Sequence, residues 1–173
     1  MAHAMGPNPN SRYARMPEDP LGEGFKAIKQ ALARIERASS LEKRLIEALY
    51  IFYDKESIPD ASLRDIAYLN EMRQLNKDYP YDPDIAALYA GSYMSIRRWD
   101  YWDKNGNPKS ETLDVAEALE RVISSGQSHP GVFHLHIHLI EASLEPERAL
   151  ISANSLEETV PLVGHIVPVS YTH

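Results

Sequence analysis

The sequence predicts an all-α fold of stacked helical hairpins, an α-solenoid, on three observations. Apolar residues recur at helical spacing over most of the chain. No alternating apolar–polar run bounded by turn residues competes as a β-hairpin. One helix template returns four times. Composition agrees with a globular chain: 173 residues, 43% hydrophobic and 25% charged, which fits one ordinary domain. No apolar stretch is long enough to cross a bilayer. The chain has no cysteine, which excludes disulfides, thiolate zinc sites and cysteine nucleophiles. A net charge of -7 argues against nucleic acid as a partner, because a phosphate-backbone binder needs a basic face.

Seven apolar stripes mark the helices in order. Phe25, Ile28, Leu32 and Ile35 form the first, and Leu41, Leu45, Leu49 and Phe52 the second. Leu63, Ile66, Leu69, Met72 and Leu75 form the third; Ile85, Leu88, Tyr89 and Ile96 the fourth. Leu113, Ala116, Leu119, Val122 and Ile123 form the fifth, Phe133, Ile137, Ile140 and Leu144 the sixth, and Leu150, Ala153 and Leu156 the seventh. The breaks carry turn chemistry: Ile58-Pro59-Asp60, Tyr79 to Pro83, Asn105-Gly106-Asn107-Pro108 and Ser128-His129-Pro130-Gly131. Asp82-Pro83 and His129-Pro130 put proline at the first helical position, where a missing N–H costs nothing. Ser40 followed by Lys43 predicts a weaker cap, since a capping box needs Glu or Gln at that spacing.

The repeated template is that of tetratricopeptide second helices: a small residue, an apolar residue four on, a small or apolar residue three further, and a closing proline. Ala118, Val122, Ser125 and Pro130 fit it, as do Ala149, Ala153, Leu156 and Pro161. Tyr68, Met72, Leu75 and Pro80 keep the spacing with a large first residue. Ala27, Ala31, Arg34 and Ser39 keep it without proline. Small residues let paired helices approach closely, and the proline stops one pair before the next. Trp99 to Lys109 is an insertion between the helices of one pair. A stack of this kind has a concave groove lined by first helices, whose default occupant is a peptide or partner protein.

The richest segment runs from His129 to Glu141 and holds four of the seven histidines. At about 100° per residue, His134, His138 and Glu141 fall within about 60° of one another. They form a ridge at i, i+4 and i+7 beside the stripe of Phe133, Ile137 and Ile140, and His136 points to the other side. Two imidazoles one turn apart can chelate a divalent transition metal, with the carboxylate as a third ligand or as the group that orients a ring. His129 and His165 could complete such a site. A structural hydrogen-bond network, or contact with a peptide or small ligand, are the alternatives. The pattern is not His-Glu-x-x-His, so no metalloprotease follows. A metal-dependent hydrolase or oxidase stays a second functional reading, and a pure scaffold with structural histidines a third.

Trp99-Asp100-Tyr101-Trp102 opens the long insertion and is a candidate ligand-binding segment, either a lid of aromatic rings over a groove or rings packed onto the stack. Asp103 to Asn107 resembles half of a calcium loop but lacks the bidentate Glu, so it reads as a turn at Asn105-Gly106. The chain carries no Gly-x-Ser-x-Gly, phosphate loop or dinucleotide fingerprint.

Both ends are expected to be non-native boundaries. Met1 to Asn8 has no signal-peptide character and reads as the last turn of a helix stopped by Gly6-Pro7, so residues 1–21 are assigned to a truncated helix and connector. Val169-Ser170-Tyr171-Thr172-His173 is what a common transposase sequencing adapter encodes in one frame. The expectation is a metagenomic fragment in which residues 22–167 are the repeat array and 168–173 a tail derived from the adapter.

The chain resembles a family of bacterial tetratricopeptide-repeat-like proteins over nearly all of residues 1–167. The resemblance is carried by Ala4-Met5-Gly6-Pro7-Asn8, Glu42 to Leu49, Tyr79 to Asp84, Trp99 to Trp102, Pro146 to Leu150 and Gly164-His165. Its most specific part is His129-Pro130-Gly131 with His134, Ile137, His138 and Glu141. The resemblance supports the helical-repeat fold and the position of the histidine site, and it implies an N-terminal helix pair preceded by an export signal, which would be missing here. It brings no assigned activity.

Overall fold

A computed structural model describes residues 20–159. Among these residues the chain is helical: α1 (Pro20–Leu32), α2 (Ser40–Tyr53), α3 (Ala61–Asp78), α4 (Pro83–Arg97), α5 (Thr112–Ser124), α6 (Pro130–Ile140) and α7 (Leu150–Thr159), with 3-10 turns at Ile35–Arg37 and Pro146–Ala149. Extended pairing is confined to one isolated bridge between Trp102 and Pro108. The all-α expectation therefore holds. Two compact units divide inside α3, one up to Glu71 and one from Met72.

In the first unit α1 packs on α2. Phe25 and Ile28 meet Ile46, Leu49 and Tyr53, and Tyr50, Phe52 and Tyr68 surround them. Gly24 permits this approach, because a Cβ there would lie 2.4 Å from the Tyr53 ring. The cap of α2 differs from the expected Ser40. It is Ser39, whose hydroxyl accepts from the Glu42 N–H at 3.3 Å while Glu42 Oε2 accepts from the Ser39 N–H at 2.8 Å. This is a complete capping box, one residue earlier than the pair considered from sequence. Arg64 is buried, and its guanidinium donates to the carbonyls of Phe52, Ile58 and Pro59, which tie off the turn after α2. Burial pushes the Tyr68 phenol up to about 12.

In the second unit α4 packs on α5 and α6, α5 on α6, and α6 on α7 and the 3-10 turn before it. Tyr89, Leu119, Ile137, Leu139, Ile140 and Leu156 fill its core. Pro83 and Pro130 take the first helical positions as predicted, behind the caps Asp82 and His129. The apolar stripes overreach at their ends. Leu63, Ile66, Leu113, Leu144 and Leu150 are exposed. Leu144 is the clearest case: α6 ends at Ile140, so a 3.6-residue period no longer sets the direction of that side chain.

Candidate functional site

The site is built from the face of α6 and the long connection between α4 and α5. Arg98 and Trp99 both adopt left-handed backbone conformations, at φ 35° and 68°. Such conformations cost non-glycine residues about 1–3 kcal/mol each and persist only where neighbouring contacts enforce them. Several contacts do so. The Trp102 indole N–H donates to the Leu139 carbonyl at 2.5 Å, using a carbonyl near the end of α6 that the helix leaves open. The Thr112 hydroxyl lies 2.8 Å from the Tyr101 carbonyl and 2.7 Å from that of Lys109. The Tyr93 hydroxyl lies 2.8 Å from it and 3.2 Å from the Lys109 carbonyl, so two hydroxyls and two carbonyls share one network. Lys109 pairs with Asp100 across the loop. Asp103 accepts from the backbone N–H of Asn105 and Asn107, and Gly106 takes the left-handed turn position at φ 76°. The Asn105-Gly106 turn is thus as expected.

This scaffold sets the Trp99 ring edge to face against His138, centroids 5.0 Å apart. Trp99 is nevertheless 65% exposed. His138 in turn meets His134 at 4.6 Å, again edge to face. His138 Nδ1 lies 3.3 Å from Glu141 Oε1, with side-chain exposures of 16% and 11%. A carboxylate only accepts, so Nδ1 is the donor of this pair. Burial, helped by Tyr93 and Glu141, raises the pKa of the Tyr101 phenol beneath them. The three residues expected to share a ridge thus lie in sequence of contact, His134 against His138 and His138 against Glu141.

The other predicted residues are placed elsewhere. His129 does not join the ridge: its Nδ1 accepts from the Val132 N–H at 3.1 Å and its Nε2 faces Asp84 Oδ1 at 3.1 Å. Its ring folds over Gly131, where a Cβ would come within 2.9 Å. His-Pro-Gly is thus a helix-start device: side-chain cap, proline at N1, and a glycine leaving room for the ring. Asp100 pairs with Lys109, and Trp102 is spent on Leu139. From the aromatic run, Trp99 alone makes ring contact with the ridge, over Tyr101. His165 lies outside the described residues, as do His3, Pro161 and the tail from Pro168. Among the described residues no three His, Asp or Glu side chains already surround a point that would hold a metal ion.

Sequence reasoning missed a second histidine centre. His136 is 1% exposed, with Nδ1 2.9 Å from Ser152 Oγ and Nε2 3.3 Å from Glu120 Oε1. Arg148 donates to the same Glu120 oxygen at 2.6 and 3.0 Å. The order Ser–His–Glu resembles a hydrolytic relay, but Ser152 is fully buried and no substrate could reach it. These residues lock α5, α6 and the start of α7 together. The partners lie 16 residues to either side of His136, and no local motif connects them.

No protein-family profile, curated protein or solved structure matches the chain. Among the described residues no helix is long and apolar enough to cross a membrane.

Proposed function

We propose that the chain is a tetratricopeptide-like helical-repeat protein that works as an interaction module and engages a peptide segment of a partner protein at Trp99, His134, His138 and Glu141. The observation that carries this is the order of helix packing from Met72 onward. α4 pairs with α5 and also touches α6, while α5 touches α6, which then pairs with α7. In stacked hairpins each first helix meets the first helix of the next hairpin, and first helices line the binding groove. α6 holds that position, and the ridge lies on it. An exposed tryptophan beside shielded polar groups is also the composition of a binding hot spot.

Selection of peptides from a random library on the full chain, with EDTA present, tests the reading. Selected peptides are expected to lose at least tenfold in affinity to Trp99→Ala and His138→Ala, and to bind Leu63→Ala unchanged. Failure to enrich any peptide, or enrichment indifferent to both site substitutions, would overturn it.

A further inference from the structure

We infer that His134 and His138 form a two-imidazole site for a borderline divalent transition ion such as Zn2+ or Co2+, with Glu141 positioning His138 and Trp99 forming one wall. The inference concerns the same face as the proposed peptide site but does not depend on what docks there. Three features on the page converge on it. The rings are one helical turn apart with centroids at 4.6 Å. An imidazole nitrogen bound at about 2.1 Å puts its ring centroid roughly 3.3 Å from the ion, so the present separation matches two rings at about 90° on one ion, and a tetrahedral angle asks for roughly 0.8 Å more. Glu141 already occupies Nδ1 of His138. That is the carboxylate–histidine arrangement which fixes the tautomer of a metal-binding ring and leaves Nε2 to the ion. Finally, the pair is only partly covered: the His138 side chain keeps 16% exposure, and its ring meets that of Trp99, which is itself 65% exposed.

The edge-to-face setting of the two rings means that one of them must turn about its Cβ–Cγ bond to bring its nitrogen to the shared point. Imidazoles do so within a broad, shallow torsional well. With two protein nitrogens the site is open, and its preference follows ligand type: imidazole suits zinc, cobalt, nickel and copper rather than magnesium or calcium.

The test is titration of the full chain with Zn2+ by calorimetry and with Co2+ by tryptophan emission, in a His3→Ala background that keeps the amino-terminal histidine out of the result. One saturable Zn2+ equivalent is expected, abolished in His134→Ala and in His138→Ala, both checked for unchanged helicity. Glu141→Gln is expected to weaken binding by about 10–100-fold. Co2+ should quench tryptophan emission in the parent protein and fail to do so in His134→Ala and in His138→Ala, which ties the quench to an ion held by the two imidazoles. Binding that survives loss of both ridge histidines, or no saturable binding below millimolar Zn2+, would sink the inference. Peptides selected in EDTA that still depend on Trp99 would, in that event, leave the recognition site standing without its metal.

Discussion

His136 reaches Glu120 at 3.3 Å from a position almost completely closed to solvent, so this imidazole holds its place by staying neutral. Burial lowers its pKa below the ordinary 6.5; the adjacent Glu120 opposes the shift and Arg148 adds to it. The native state therefore binds fewer protons than the unfolded chain between that lowered value and 6.5. The contribution of His136 to stability is complete above about pH 6.5 and is lost progressively as pH falls below it. Urea midpoints measured from pH 8 to pH 5 should decline below 6.5, and His136→Gln should flatten that decline. A slope identical in the variant would assign the acid sensitivity to other groups.

Gly24 should be intolerant of even a methyl group. Alanine in place of a mid-helix glycine ordinarily stabilises by about 0.5–1 kcal/mol. Here the added carbon would sit 2.4 Å from the Tyr53 ring, and overpacking of that order costs about 1–3 kcal/mol. The clash outweighs the propensity, so Gly24→Ala should lower the unfolding free energy. Tyr53→Leu, which removes the struck atoms, should recover part of the loss when combined with it.

Much of the fold and half of the candidate site were legible in the sequence, and what escaped has a common physical cause. Pro83 and Pro130 announced their helices because a fixed φ and a missing N–H suit one helical position. The ridge of His134, His138 and Glu141 was legible because two of the three share one helix and the third is its C-cap, still in helical conformation, so local geometry relates them without reference to the rest of the chain. The Trp99–His138 contact was not, since it spans 39 residues and depends on two left-handed residues that no composition signal marks. The Ser39 box was misplaced by one residue because adjacent serines offer the same chemistry and only the reach of Glu42 decides between them. His129 was grouped with the ridge by proximity in sequence, whereas the first turn of α6 demanded its nitrogen as a cap.

The cap of α6 can be tested by a double-mutant cycle. His129→Ala should cost about 1 kcal/mol by stranding the Val132 N–H. Gly131→Ala should cost a similar amount, because its Cβ would displace the His129 ring from the cap position. In the His129→Ala background the obstacle is gone, and Gly131→Ala should become neutral or stabilising through helix propensity alone. Thermal or urea denaturation of the four proteins reads this change of sign. Simple additivity would show that the ring and the glycine are not coupled.

The strained geometry at Trp99 should depend on an anchor three residues away. Trp102→Phe keeps the ring but removes the N–H that serves the Leu139 carbonyl, a loss of about 1 kcal/mol or somewhat more for a shielded acceptor. The connection between α4 and α5 would then lose its main tie to α6, while the cores of α5, α6 and α7 keep theirs. The expected result is faster tryptic cleavage at Lys104 and Lys109, with only a small change in global melting. The chain has two tryptophans, so the variant leaves Trp99 as sole emitter, and its emission should shift to the red as it leaves His138. If cleavage and emission stay as in the parent protein, the Thr112 and Lys109 contacts alone hold residue 99 in place, and the indole of Trp102 is not what shapes the site.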